Sequence, residues 1–142
     1  MTTARNIMTQ GAECARSEET LADAARKMRD LDVGALPICG DDDRLKGVVT
    51  DRDILVRCVA EGADPTSTPV SELAEGKPVT IGADDPIDQA LQTMIEHGVR
   101  RLPVIDGDRL VGMVSQADVA RETTPEQAGQ LVAALSRSPS NN

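Results

Sequence analysis

Apolar side chains recur every three or four residues in two stretches of the chain, which is the spacing of an amphipathic helix. The first stretch follows a start signal at Ser17 and Thr20 and closes at Gly34, and the second opens at Pro86 and ends at Gly98. The two stripes consist of Leu21, Ala24, Ala25, Met28 and Leu31, and of Ile87, Ala90, Leu91 and Met94. The pattern therefore predicts two comparable helices.

Short extended segments and hairpins surround each predicted helix. A strand precedes each helix, a hairpin follows it, and a second helix comes after the hairpin. The predicted strands are 13–15, 36–39 and 45–49 in the first half and 79–81, 102–105 and 110–114 in the second, and the second helices run from about 51 to 61 and from about 116 to 122. A right-handed crossover makes the first strand of each half parallel to the second strand.

The two halves are copies of one another. Residues 4–56 align with residues 70–121 with a single one-residue gap, and the matched positions are mostly apolar and turn residues. We expect an α/β (α+β) fold of two repeats, residues 1–65 and 66–123, followed by a C-terminal helix and flexible tail at 124–142. Each repeat would carry a small three-stranded sheet, and pairing the repeats about a pseudo-twofold axis would bury shared faces and leave clefts at the seam.

The composition limits the classes of partner that the chain can bind. The 142 residues carry a net charge of −9 and include no Phe, Tyr or Trp. Such a charge repels nucleic acid and anionic lipid, and without aromatic rings a purine site would need aliphatic walls and backbone groups. No signal peptide or membrane span is apparent, so we expect a cytoplasmic protein, with secretion by a non-standard route left open.

Two matched segments resemble a known signature. GVVTDRDI at 47–54 and GMVSQADV at 112–119, each after a Leu-Pro-hydrophobic strand, resemble CBS domains, and the resemblance covers residues 4 to about 122. It implies a Bateman module: a non-catalytic homodimer that binds an adenosine-containing ligand in the seam and regulates a partner protein. AMP, ADP, ATP, NAD and S-adenosylmethionine are the candidate ligands, and no cofactor is required.

Thr50 with Asp53, and Ser115 with Asp118, lie three residues apart where a strand leads into a helix. Taken alone, each pair reads as a capping box, although Asp is shorter than the Glu or Gln that this motif prefers. The resemblance instead assigns the aspartates to the ribose diol and the hydroxyls to phosphate. Both roles can hold at once.

Arginines form the second group of candidates. Arg100 and Arg101 stand where the first repeat has Gly34 and Ala35, and Arg52 lies between Thr50 and Asp53. Adjacent arginines at a strand start can be ordinary surface charge, but CBS domains often place basic residues here to meet phosphate, which a guanidinium binds bidentately. The two clefts would then differ.

Cys14 and Cys39 fall on predicted neighbouring strands. Strands about 4.8 Å apart are within reach of a disulfide, while two buried free thiols are the alternative. Cys58 is expected in a helix interface. With His97 as the only histidine and no zinc-type cysteine spacing, we expect no metal site.

No nucleophile or acid–base motif appears, so we expect no enzyme. The chief alternative to ligand binding is a ligand-independent dimeric scaffold, in which the CBS fold serves dimerisation and the aspartates only cap helices.

Overall fold

The computed structural model describes residues 1–11, 13–74 and 78–138, which divide into two compact units. The first-repeat unit consists of residues 13–74 with Pro78, and the second-repeat unit consists of residues 1–11 and 79–138. Each unit has its own sheet and its own hydrophobic core. The predicted repeat boundaries follow the sequence copies, whereas each compact unit contains the opening segment of the other copy, residues 4–11 in the second-repeat unit and 70–74 in the first-repeat unit.

The helices and strands of the described residues follow the predicted order and add a short N-terminal helix and strand. In chain order they are α1 (Ala4–Ile7), β1 (Thr9–Gln10), β2 (Ala15–Arg16), α2 (Leu21–Leu31), β3 (Ala35–Cys39), β4 (Leu45–Thr50), α3 (Asp51–Ile54), β5 (Ile81–Gly82), α4 (Ile87–His97), β6 (Arg101–Asp106), β7 (Arg109–Ser115), α5 (Gln116–Arg121) and α6 (Pro125–Ser136). A π-helical turn at Leu55–Val59 and a 3₁₀ turn at Val70–Leu73 complete them.

The two long repeat helices have the predicted apolar faces but end differently. Gly98 ends α4 in a left-handed conformation with φ of 64°, as predicted. The expectation that Gly34 closes the first helix is wrong, because Asp32 ends α2 with φ of 56°. Asp is one of the few residues other than Gly that adopt this conformation, since its short polar side chain can bond locally.

The first-repeat unit has the predicted three-stranded sheet. β2 runs parallel to β3, and β3 pairs antiparallel with β4, so that Leu36 faces Val49 and Ala35 faces Thr50. The core of this unit contains Ala15, Leu21, Ala24, Met28, Leu36, Ile38, Val49, Cys58, Val70 and Leu73. Helix α2 packs on β3 and on α3, so it contacts the helix that follows the β4–α3 junction.

The second helix of the first repeat is not one regular α-helix. The predicted helix at 51–61 is α3 followed by the π-helical turn, in which Ala60 N donates to Leu55 O at 2.9 Å. The turn points Cys58 into the core, which agrees with its expected burial, and leaves Leu55 and Val59 exposed.

The second-repeat unit has a fourth strand. The order is β1-β7-β6-β5, in which β5–β6–β7 is the predicted arrangement and β1 adds antiparallel to β7. Helix α6 packs on α4 and α5 and contributes Leu131 and Leu135 to the core. The other buried members are Ala4, Ile81, Ala83, Ile87, Ala90, Leu91, Met94, Leu102, Val104, Val114 and Val119.

The N-terminal segment is fastened to the second-repeat unit at several points. Arg5 bonds Asp84 at 3.2 Å and Asp106 at 3.1 Å, and Ala4 N donates to Asp85 O at 2.9 Å. A Cβ on Gly112 would lie 2.7 Å from the carbonyl oxygen of Thr9, so this close approach of β1 requires glycine. The segment is thus an integral part of this unit.

Candidate functional site

The β4–α3 junction is a closed capping box. Asp53 N donates to Thr50 Oγ1 and Thr50 N donates to Asp53 Oδ2, both at 3.0 Å, and both side chains are buried. Asp53 is 7% exposed. Its second oxygen, Oδ1, accepts no hydrogen bond from the residues that the structure describes. The junction therefore satisfies the helix start and still leaves a carboxylate oxygen available.

The β7–α5 junction repeats this geometry with one difference. Ser115 N donates to Asp118 Oδ2 at 2.9 Å, and Asp118 N donates to Ser115 Oγ at 3.2 Å. Here Asp118 Oδ1 also accepts from Arg121 at 2.6 Å. Because Arg121 already holds this oxygen, the two junctions offer a ligand different acceptors. Sequence reasoning missed Arg121, although its spacing of three residues from Asp118 is that of a helical ion pair.

The same box also occurs away from the predicted site. At the start of α2, Asp23 N donates to Thr20 Oγ1 and Thr20 N donates to Asp23 Oδ2, both at 3.1 Å. The hydrogen bond from the backbone N of Thr20, followed by one from the Thr20 side chain, stabilises the Asp23 carboxylate and lowers the pKa of Asp23 below its usual value. Among the described residues, the short Asp side chain thus closes a capping box at three helices, and capping geometry alone does not mark a ligand site.

The predicted arginines lie in three different environments. Arg101 is the cross-strand partner of Ser115, which puts their side chains on one face of the sheet next to the junction. Arg100 instead donates to Leu135 O at 2.7 Å, a carbonyl in the last turn of α6. Arg52 is exposed in the first turn of α3, and its backbone N donates to Asp51 Oδ1. Arg101 and Arg52 therefore lie next to the two strand-to-helix junctions, whereas the side chain of Arg100 is bonded to a carbonyl at the end of α6.

Cys14 and Cys39 form a disulfide. Their Cα atoms are 5.6 Å apart, and the bond joins the residue before β2 to the last residue of β3. Lys27 supports it from α2: its Nζ donates to Cys14 O at 2.9 Å and to Glu19 Oε1 at 2.8 Å. The bridge therefore links the two parallel strands of the first-repeat unit, as their predicted adjacency indicated.

Two kinds of feature are absent from the described part of the chain. No three His, Cys, Asp or Glu side chains come together there in a way that could hold a metal ion. Across residues 1–11, 13–74 and 78–138, every helix is too short or too polar to cross a membrane.

Comparison with known proteins identifies the family. The CBS domain pattern matches the chain twice, at residues 4–59 and 70–124. The chain belongs to the CBS domain family. Hypoxic response protein 1 of Mycobacterium tuberculosis H37Rv is 49% identical over 135 residues, which cover 95% of this chain and 94% of that protein. The tandem CBS pair that the resemblance implied is thereby confirmed.

Solved structures agree with the fold. The crystal structure of Hypoxic Response Protein I, with two coordinated zinc ions, matches with a TM-score of 0.78 and 50% identity over 87% of this chain and 100% of that chain. A CBS domain protein from Pyrobaculum aerophilum complexed with AMP matches with a TM-score of 0.77 and 24% identity over 93% of this chain and 99% of that one. At that identity the second likeness supports the architecture alone. CBS pairs are generally non-catalytic, and no catalytic family is indicated for this chain.

Proposed function

We propose that this chain is a non-catalytic regulatory module that binds an adenosine-containing ligand at its strand-to-helix junctions. The observation that carries the proposal is the buried carboxylate of Asp53, one oxygen of which accepts no hydrogen bond from the described residues. A carboxylate oxygen held in this way can accept hydrogen bonds from the hydroxyls of a ribose diol. AMP, ADP, ATP, NAD and S-adenosylmethionine all carry that diol.

Cations near the junctions support a ligand with phosphate. Arg101 lies beside Ser115 and Arg52 beside Asp53, while Arg100 is engaged with Leu135 O. We expect Arg101 and Arg52 to contribute to phosphate affinity and Arg100 mainly to stability. We also expect Asp53 to contribute more than Asp118, because Arg121 already bonds the second oxygen of Asp118.

A thermal-shift panel is the first test. AMP is the leading probe, since the Pyrobaculum aerophilum protein was solved with it, and ADP, ATP, NAD and S-adenosylmethionine complete the panel. A ligand that binds only the folded state stabilises it by about 2.7 kcal/mol at a hundredfold excess over Kd, and it must therefore raise the melting temperature. No shift with any of the five, together with no heat of binding in calorimetry, would reject ligand binding.

A matched pair of variants separates ligand binding from capping. Asp53→Ala and Asp23→Ala each open one capping box, and each should cost about 1 kcal/mol of stability. Only Asp53→Ala should also lose about 1.5–3 kcal/mol of affinity for AMP and for adenosine alike, roughly 10–150-fold. Arg101→Gln should weaken AMP while leaving adenosine unchanged, because it touches only the phosphate. Equal affinities in Asp53→Ala and Asp23→Ala would show that Asp53 is a cap and nothing more.

The second candidate function is a ligand-independent dimeric scaffold. The closed capping boxes and the bond of Arg100 to Leu135 O favour it, because these groups already have protein partners. In either case we propose that the chain acts as a homodimer and reports to a partner protein through a small conformational shift. A scaffold would keep its dimer and show no response to any of the five ligands.

A further inference from the structure

Two of the three capping boxes that an aspartate closes in the described residues also have an arginine three positions after the aspartate. Arg26 donates to Asp23 Oδ1 at 3.0 Å, and Arg121 donates to Asp118 Oδ1 at 2.6 Å. In each box the other carboxylate oxygen accepts the backbone N–H of the capping residue. Both oxygens of these two aspartates are therefore bonded within the protein, as in a purely structural cap.

The third box lacks the arginine. The residue three positions after Asp53 is Val56, which the internal repeat aligns with Arg121. A valine side chain donates no hydrogen bond, and Asp53 Oδ1 accepts none from the residues that the structure describes. Asp53 is only 7% exposed, and a charged side chain this buried normally has its oxygens paired.

The open oxygen of Asp53 is within reach of a ligand. Among the described residues, no fully enclosed side-chain oxygen or nitrogen is without a hydrogen-bond partner, so Asp53 Oδ1 keeps contact with the surface. A carboxylate that is largely buried, and that has one open oxygen at the surface, is suited to accept hydrogen bonds from a ligand.

We propose that the residue three positions after the junction aspartate determines which junction accepts a ribose. Val56 leaves Asp53 Oδ1 open to the hydroxyls of a ribose diol, whereas Arg121 occupies Asp118 Oδ1 with a donor that these hydroxyls must displace. An adenosyl ligand therefore prefers the β4–α3 junction, and the β7–α5 junction serves first as a helix cap. The inference rests on the proposed function and names the residue that makes the two junctions unequal.

The exposure of each ion pair sets the size of this preference. The side chain of Arg121 is 67% exposed and that of Asp118 is 12% exposed, and a pair so open to water contributes little. Displacing Arg121 should thus cost a ligand roughly two- to fivefold in affinity. An arginine at position 56 would meet the more buried Asp53, so we expect a loss of about fivefold there.

Adenosine titrations of the full chain, followed by NMR on isotopically labelled protein, report on each junction separately. The backbone N–H groups of Thr50 and Ser115 bond the two junction aspartates, so their signals follow the two sites. Adenosine is the probe because it carries the diol and no phosphate. In the native chain the Thr50 signal should reach its midpoint at a roughly two- to fivefold lower adenosine concentration than the Ser115 signal.

Reciprocal substitutions exchange the two residues between the repeats. Arg121→Val should lower the adenosine midpoint of the Ser115 signal by roughly two- to fivefold. Val56→Arg should raise the midpoint of the Thr50 signal by about fivefold. Val56→Met controls for the longer side chain, which has room because Val56 is 40% exposed. Arg26→Val controls for the loss of an arginine, since its box lies at neither junction. Both controls should leave both midpoints unchanged.

Three results would overturn this inference while leaving ligand binding in place: coinciding midpoints in the native chain, an unchanged Ser115 midpoint in Arg121→Val, or an unchanged Thr50 midpoint in folded Val56→Arg. Melting curves show whether Val56→Arg is folded, and Arg121→Val decides alone if it is not. If the Ser115 signal responds only in Arg121→Val and the Thr50 signal never does, the role of Arg121 holds and the ribose role of Asp53 is rejected. No response in any variant rejects both proposals.

Discussion

Reduction of the Cys14–Cys39 disulfide should lower the free energy of unfolding. The length of the loop that the bridge closes sets the size of this decrease. The bridge joins residues separated by 25 positions, and the loop contains α2 and most of β3. In the chain-entropy treatment, cross-linking restricts the unfolded chain by 2.1 + 1.5R ln n cal/mol/K, which for n of 25 is about 3.5 kcal/mol at room temperature. For a marginally stable domain this is a large share of the total free energy of unfolding.

Urea unfolding in oxidising and reducing buffer measures this difference. With a slope near 2 kcal/mol/M, the unfolding midpoint should fall by roughly 1.5–2 M on reduction, and the melting temperature by about 10 °C. The double variant Cys14→Ser with Cys39→Ser should unfold at about the same urea concentration in both buffers. Cys58→Ser is the control, since Cys58 is a buried free thiol and its variant should keep the full redox difference.

The reasoning is wrong if reduced protein, shown by mass spectrometry to carry three free thiols, unfolds at the same urea concentration as oxidised protein. That outcome would mean that the parallel strands and the hydrogen bonds of Lys27 already restrict this loop without the bridge.

Three further predictions concern packing, pH and the N-terminal segment. Leu131→Ala should lower the free energy of unfolding by about 2–4 kcal/mol in urea titrations, because it empties a buried contact of α6. Burial alone would raise the pKa of Glu19, but hydrogen bonds from Lys27 and from the backbone N of Arg16 outweigh it and lower the pKa. The stability that the lowered pKa of Glu19 contributes is present above about pH 4.5 and is lost as pH falls through the folded pKa. Glu19→Gln should therefore flatten the pH dependence of the free energy of unfolding between about pH 6 and 3. Gly112→Ala should loosen β1 and speed hydrogen exchange at Gln10, whereas Gly129→Ala, which meets no atom within 4 Å, should not.

The repeat and its hairpins could be predicted because their signals are local. Alternating apolar residues around Pro37 and Pro103, and the acidic turns between the strands, fix β3–β4 and β6–β7 from sequence alone. The predicted adjacency of two parallel strands put Cys14 within reach of Cys39, but the sequence left two free thiols as the alternative, and the structure has the disulfide.

What could not be predicted depends on contacts between distant segments. The two residues of β1 carry no strand pattern, and they form a strand only because β7 offers a free edge. Nothing near Arg100 shows that Leu135, 35 positions later, will accept its hydrogen bond. The sequence predicted a C-terminal helix within residues 124–142, but not that its Leu131 and Leu135 would pack into the core of the second-repeat unit.

The attachment of β1 to β7 has a consequence for biosynthesis. Residues 9–10 leave the ribosome about 100 residues before the strand that receives them, which at 5–20 residues per second is a delay on the order of 5–20 s. The first-repeat unit, whose last described residue is Pro78, is translated within that interval. The first-repeat unit can therefore fold before residues 9–10 have a partner strand, and the second-repeat unit is completed last, when β7 pairs with the earliest part of the chain.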